Sequence, residues 1–151
     1  MKPALLDVNF LIAMLHPAHP NHDEAHVWFQ NNARFGWATS PITVNACIRI
    51  LSNPAYKSLE ARPEEVAQKL RIATAQHHHR FWPDDVNLID AAVIRPEMLG
   101  GHKYVTDAAL LALAVRNGGR LATFDRAIPL KAVIGAKAEH LIVIGGATRP
   151  G

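Results

Sequence analysis

VTDAALLALAVRNGGRLATFD, residues 105–125, passes from a helix start through a glycine pair into a short apolar strand. Thr106 is suited to N-cap the helix, which leaves Asp107 in its first turn, where a carboxylate gains about 0.3–1 kcal/mol from the helix dipole. From Ala108 to Val115 the segment is apolar on nearly every face, the mark of a buried helix. Gly118 and Gly119 end it, and RLATF (120–124) follows as a strand. Burying this helix carries Asp107 to the interior or to the floor of a cleft, and a buried acid needs a partner.

The same alternation extends in both directions. ALLDV (4–8) reads as a buried strand, followed by a short helix from Asn9 to Leu15 that stops before Pro17. Asn21 caps a helix through Asn32, with Asp23 and Glu24 in its first turn and Ala25, Trp28 and Phe29 on its inner face. GWATS (36–40) is a second strand. Ser40 and Pro41 open a helix that runs to about Ser52, where NPAY closes it. RPEEVAQKLRIATAQ (62–76) is a further helix and RFW (80–82) a third strand. Residues 83–104 are irregular, and LIVI (141–144) follows 120–124 as the fifth strand. Strands alternating with helices imply an α/β protein built on a parallel sheet with helices on both faces. One domain is expected over residues 1–146, with a short tail at 147–151.

Composition agrees with this class. The chain has 151 residues, 49% hydrophobic and 19% charged, enough for an ordinary core that needs no disulfide or structural metal. Its single cysteine, Cys47, lies among Val44, Ala46, Ile48 and Ile50 and is expected to be a small buried hydrophobe in a reducing compartment. No apolar run approaches the roughly 18 residues of a membrane span, and the N-terminus enters a strand pattern rather than a signal peptide. A soluble, cytoplasmic protein with no membrane partner is the expectation. A net charge of +3 and a pI near 9.3 permit a polyanionic partner, although no basic run marks a binding arm.

In open parallel sheets functional groups gather beyond the carboxyl ends of the strands, where the following helices begin. Asp7 ends the first strand, Asp125 follows the fourth, and Asp107 opens the helix leading into the fourth. Two carboxylates about 5 Å apart at an effective dielectric near 20 repel by roughly 3 kcal/mol, more than the capping gain of Asp107. Three together call for a cation or for protonation. An all-oxygen donor set with few protein contacts suits Mg²⁺ or Mn²⁺.

These residues carry a family resemblance. LLDVNFL resembles the opening D-x-N motif of PIN-domain proteins, and YVTDAALLALA with GGRLATFDRAI resembles their third and fourth acidic motifs at suitable spacing. SPITVNACIRILSNP is similar to the second motif of one subgroup of VapC-type toxins, the ribonuclease halves of bacterial toxin–antitoxin pairs. The resemblance covers nearly the whole chain. It implies a three-layer α/β/α sandwich with a parallel five-stranded sheet, and metal-dependent hydrolysis of RNA. Asp7, Asp107 and Asp125 match the family's metal-ligand positions, directly or through water, while Asn9 and Thr123 match polar companions. A homodimer and a small VapB-type antitoxin, with a basic residue reaching the carboxylates, are implied partners.

One position departs from the pattern. The second motif usually carries glutamate directly after its threonine, and here Val44 follows Thr43. Thr43 and Asn45 are nearby oxygen donors without charge, and Arg49, four residues beyond Asn45 on the helix, is a candidate for phosphate. Weaker metal binding is expected from Val44, which keeps open a second reading as a catalytically weakened module that binds RNA or antitoxin. A metal-dependent phosphatase of the haloacid dehalogenase type also starts with an aspartate after a strand, but DVNFL lacks that family's second aspartate. His77, His78 and His79 read as ordinary residues at a helix C-terminus. His16, His19, His22 and His26 lack the cysteines or HExxH pattern of a zinc site. Asp84, Asp85 and Asp90 read as loop and cap residues, and Trp28, Phe29 and Trp82 as core.

Overall fold

The computed structural model describes residues 1–56 and 60–145; the expected tail at 147–151 lies outside the described residues. Five strands form one sheet: β1 (Ala4–Leu6), β2 (Trp37–Thr39), β3 (His79–Phe81), β4 (Arg120–Thr123) and β5 (Leu141–Val143). Their order is β3-β2-β1-β4-β5, and every pairing is parallel. The chain lays down β1, β2 and β3 in one direction, then returns past β1 to place β4 and β5. The switch point therefore falls between β1 and β4, whose register aligns Leu5 with Leu121 and Leu6 with Ala122.

Strand residues alternate between two cores because successive side chains point to opposite faces. Ala4, Leu6, Trp37 and Ala122 face a cluster that includes Phe10, Leu11, Cys47, Leu51, Val66 and Leu70. These come from α1 (Val8–Leu15), α3 (Pro41–Leu51) and α4 (Pro63–Thr74), and α2 (His22–Asn32) adds Ala25. Leu5, Ala38 and Leu121 face the other cluster, filled by Leu110, Leu111 and Leu113 of α5 (Val105–Arg116). The three layers are the expected α/β/α sandwich. Cys47 is fully buried and its thiol is pushed up to about 12 by burial, as a small hydrophobe's would be.

The glycine pair at the α5–β4 junction has two separate causes. Gly118 stands at φ +65°, the left-handed conformation that releases a helix end. At Gly119 a Cβ would lie 2.6 Å from the Pro3 carbonyl oxygen and from the Trp82 ring, so the close approach admits no side chain.

Several local expectations change. Residues 102–104 form a 3-10 turn that runs into α5, so the residue before the helix is Tyr104 and Thr106 is already inside it. Asp107 stays in the first turn. Asn21 precedes α2 without a side-chain cap bond. His79 belongs to β3, packs its ring at a tilt against Trp37 and shares a 2.8 Å hydrogen bond with the Thr39 hydroxyl. Among the described residues no helix is long and apolar enough to cross a membrane.

Candidate active site

Asp7 leaves β1 in an extended conformation and N-caps α1. Its Oδ1 accepts the Val8 N–H at 2.7 Å, and its own N–H bonds the Ala122 carbonyl on β4. The side chain is only 4% exposed. Its Oδ2 accepts a 2.6 Å hydrogen bond from the Thr123 hydroxyl, and that same hydroxyl oxygen accepts the Asp125 N–H at 3.0 Å. β4 ends at Thr123, so Asp125 is not on a shared strand face with it. The link is this hydrogen bond, and Asp125 Oδ1 further accepts the Ala127 N–H at 2.8 Å.

Charge is concentrated here. Burial raises the Asp7 carboxyl above its ordinary range; the Thr123 hydroxyl and the Val8 N–H pull it back, and the Asp125 charge pushes it up again. Asp107 is pushed up to about 6, first by burial and then by the charges of Asp7 and Asp125. Three carboxylates from three elements thus sense one another at the β1/β4 switch point. Among the described residues, no three His, Cys, Asp or Glu side chains close into a ready-made metal cage. The two observations are compatible for an ion that keeps several waters and takes only one or two carboxylates from the protein.

The remaining candidates separate. Asn9 is exposed in the first turn of α1. Thr43 is fully buried and spent on a capping box: its Oγ1 accepts the Ser40 N–H at 3.0 Å and donates to the Ser40 carbonyl at 3.1 Å, so it offers nothing to a metal. Asn45 and Arg49 are exposed on the α3 face that looks toward the start of α5, in a groove with Thr106 and Asp84. Val44 lies on a different side of α3. With Ile48 it lines a cavity against Leu70 and Arg71 of α4 and packs on the core.

Asp84 was read only as a loop or cap residue, and it does cap: its Oδ2 accepts the Ile42 N–H of α3 at 3.1 Å. It also forms a wall of the groove shared with Thr106, a placement that the sequence does not announce. The one signal is that Asp84 lies three residues beyond β3, at the same sheet edge as Asp7 and Asp125. Asp85 pairs with Arg116 at 3.0 Å and Asp90 caps its own turn through Ala92. His22 and His26 share hydrogen bonds with the Ala13 and Met14 carbonyls at the end of α1. Trp82 is buried, and Trp28 and Phe29 pack on the core.

An all-parallel sheet with coupled acids at its switch point defines an α/β/α protein with an acidic edge site. The chain belongs to the PIN-domain family, whose model matches residues 4–133, and within it to the VapC-type proteins. It is 42% identical over 144 residues to Ribonuclease VapC44 of Mycobacterium tuberculosis, covering 93% of this chain and 99% of that protein. Ribonuclease VapC39 of the same organism is 44% identical over 125 residues, 83% of this chain and 90% of that protein. The fold is similar to the crystal structure of VapBC2 from Rickettsia felis bound to a DNA fragment from its promoter. There the TM-score is 0.59 at 17% identity, over 94% of this chain and 98% of that one.

Proposed function

We propose that this protein is a divalent-metal-dependent endoribonuclease, the toxin half of a toxin–antitoxin pair. One observation carries the reading: Asp107, held near pKa 6 by burial and by Asp7 and Asp125, belongs to a carboxylate set that is strained without a cation. The ribonuclease names of the VapC44 and VapC39 relatives support it. The oxygen donors fit Mg²⁺ or Mn²⁺, which Asp7, Asp107 and Asp125 would hold directly or through water. When bound, such an ion neutralises charge at the scissile phosphate and acidifies an attacking water. Thr123 keeps the Asp7 carboxylate and the Asp125 backbone in fixed relation, and Arg49 presents a guanidinium to a flanking phosphate.

The test is release of acid-soluble fragments from RNA with Mn²⁺ and with EDTA, beside phosphate release from a small phosphomonoester. Metal-dependent RNA cleavage without phosphatase activity is expected; the reverse pattern would replace the reading with a phosphatase.

A homodimer and an antitoxin belong to the same proposal. A basic antitoxin side chain reaching the carboxylates would relieve the repulsion that a metal relieves. A protein that stays monomeric at high concentration, and that the product of the neighbouring reading frame neither binds nor inhibits, would defeat this part. The second reading, a weakened binding module, rests on Val44. Because Val44 packs toward α4 and not toward the acids, that residue gives little reason to expect a lost ligand.

A further inference from the structure

α3 and the start of α5 flank an open groove of about 350 Å³, a volume in the range of single-ligand pockets. Its walls are Ile42, Asn45, Ala46 and Arg49 of α3, Thr106 of α5, and Asp84 from the loop after β3. Thr106 and Asp107 both lie in the first turn of α5, so the groove borders the helix start that carries one acid of the site. Asn45 and Arg49 are exposed, and neither side chain makes a hydrogen bond or ion pair among the described residues. Asp84 is held in place through one oxygen by the Ile42 N–H at 3.1 Å, while its second oxygen has no hydrogen-bond partner among the described residues. The groove therefore offers an anionic acceptor oriented by the Ile42 N–H, an amide and a guanidinium, beside the first turn of α5.

We infer that this groove is a single-nucleotide subsite next to the scissile phosphate, in which Asp84 selects guanine and Arg49 holds the nucleotide's phosphate or stacks on its base. The inference rests on the ribonuclease reading above. Guanine is the base whose pairing edge presents two adjacent donors, N1–H and the N2 amino group, to a carboxylate. Uracil presents one N–H between two carbonyl oxygens, which a carboxylate repels. Single-stranded RNA exposes this edge, and a planar guanidinium is suited to both phosphate and base faces. A well-formed pair of hydrogen bonds to a base edge discriminates by about tenfold or more.

The experiment titrates the ¹⁵N-labelled protein with 5′-GMP and with 5′-UMP in EDTA, so that no metal contributes. GMP is expected to shift the backbone amide signals of Ile42, Asn45 and Thr106, with a Kd at least tenfold below that for UMP. Arg49→Ala should weaken both nucleotides. Asp84→Asn, which keeps an acceptor for the Ile42 N–H, should abolish the preference. Equal affinities for the two nucleotides, shifts elsewhere in the protein, or an unchanged preference in Asp84→Asn would overturn the inference. Mapping of cleaved ends on random-sequence RNA separates the two claims. Cleavage with no base preference defeats the subsite alone, whereas a guanine-selective groove in a protein that leaves RNA intact defeats the ribonuclease reading alone.

Discussion

The Thr123 hydroxyl on β4 donates to Asp7 Oδ2 at 2.6 Å and accepts the Asp125 N–H at 3.0 Å, so one buried side chain ties together two acids that follow different strands. Removing it leaves the buried Asp7 carboxylate short of a charge-assisted hydrogen bond, a loss of roughly 1.5–3 kcal/mol. Thr123→Val is expected to lower the melting temperature and to cut RNA cleavage by about tenfold to a hundredfold, the usual effect of losing a residue that orients a metal ligand. Thr123→Ser should restore most of both. Full activity in Thr123→Val would remove the orienting role.

Asp107 sets a pH dependence of stability. Its carboxyl moves from an ordinary 3.8 to about 6 in the folded protein, so the fold binds this proton more tightly than the unfolded chain. Stability contributed by the protonated form is therefore lost as pH rises from about 4 through about 6. Asp107 is only half-buried, and solvent screening limits the effect to about 1 kcal/mol. Asp107→Asn should melt a few degrees higher than the natural protein at pH 7.5, with the difference vanishing near pH 4. A lower melting point at pH 7.5 would contradict the repulsion.

Cation binding follows from the same proton. If these acids hold the ion as proposed, Mn²⁺ meets an ionised Asp107 at pH 7.5 and must displace its proton below about pH 6. Mn²⁺ is expected to raise the melting temperature at pH 7.5, less so at pH 5, and hardly at all in Asp107→Asn. An equal shift in the variant would place the ion elsewhere.

Val44 packs on the core and shares a cavity with Ile48, Leu70 and Arg71, so a glutamate there meets mainly apolar surroundings with one cation across the cavity. Val44→Glu should cost about 1 kcal/mol of stability, as partial burial of a charge does, and leave Mn²⁺ affinity unchanged. Calorimetric titration beside a thermal melt checks both. Tighter Mn²⁺ binding with an unchanged melt would restore the lost-ligand explanation.

The sheet was legible because short apolar runs such as ALLDV and RLATF alternate with helical segments, and that order admits few topologies. The convergence of Asp7, Asp107 and Asp125 on one sheet edge was legible because their sequence positions fix them relative to strand and helix ends. Thr106 was misread as a cap because the preceding turn is itself helical, which moves the boundary to Tyr104. Thr43 looked free because its capping-box bond to Ser40 competes unseen with any ligand role. The direction of Val44 depends on where α4 docks, and the groove wall at Asp84 on how the irregular 83–104 segment returns. Neither relation is local in sequence.

The central claim is that Asp7, Asp107 and Asp125 hold a divalent ion for RNA cleavage. The direct measurement is cleavage of RNA by the natural protein, Asp107→Asn and Asp125→Asn in Mn²⁺ and in EDTA, with folding verified by circular dichroism. Cleavage by the natural protein in Mn²⁺ alone, and loss of at least a hundredfold in both folded variants, is expected. Cleavage that survives EDTA, or that persists in both variants, would contradict it.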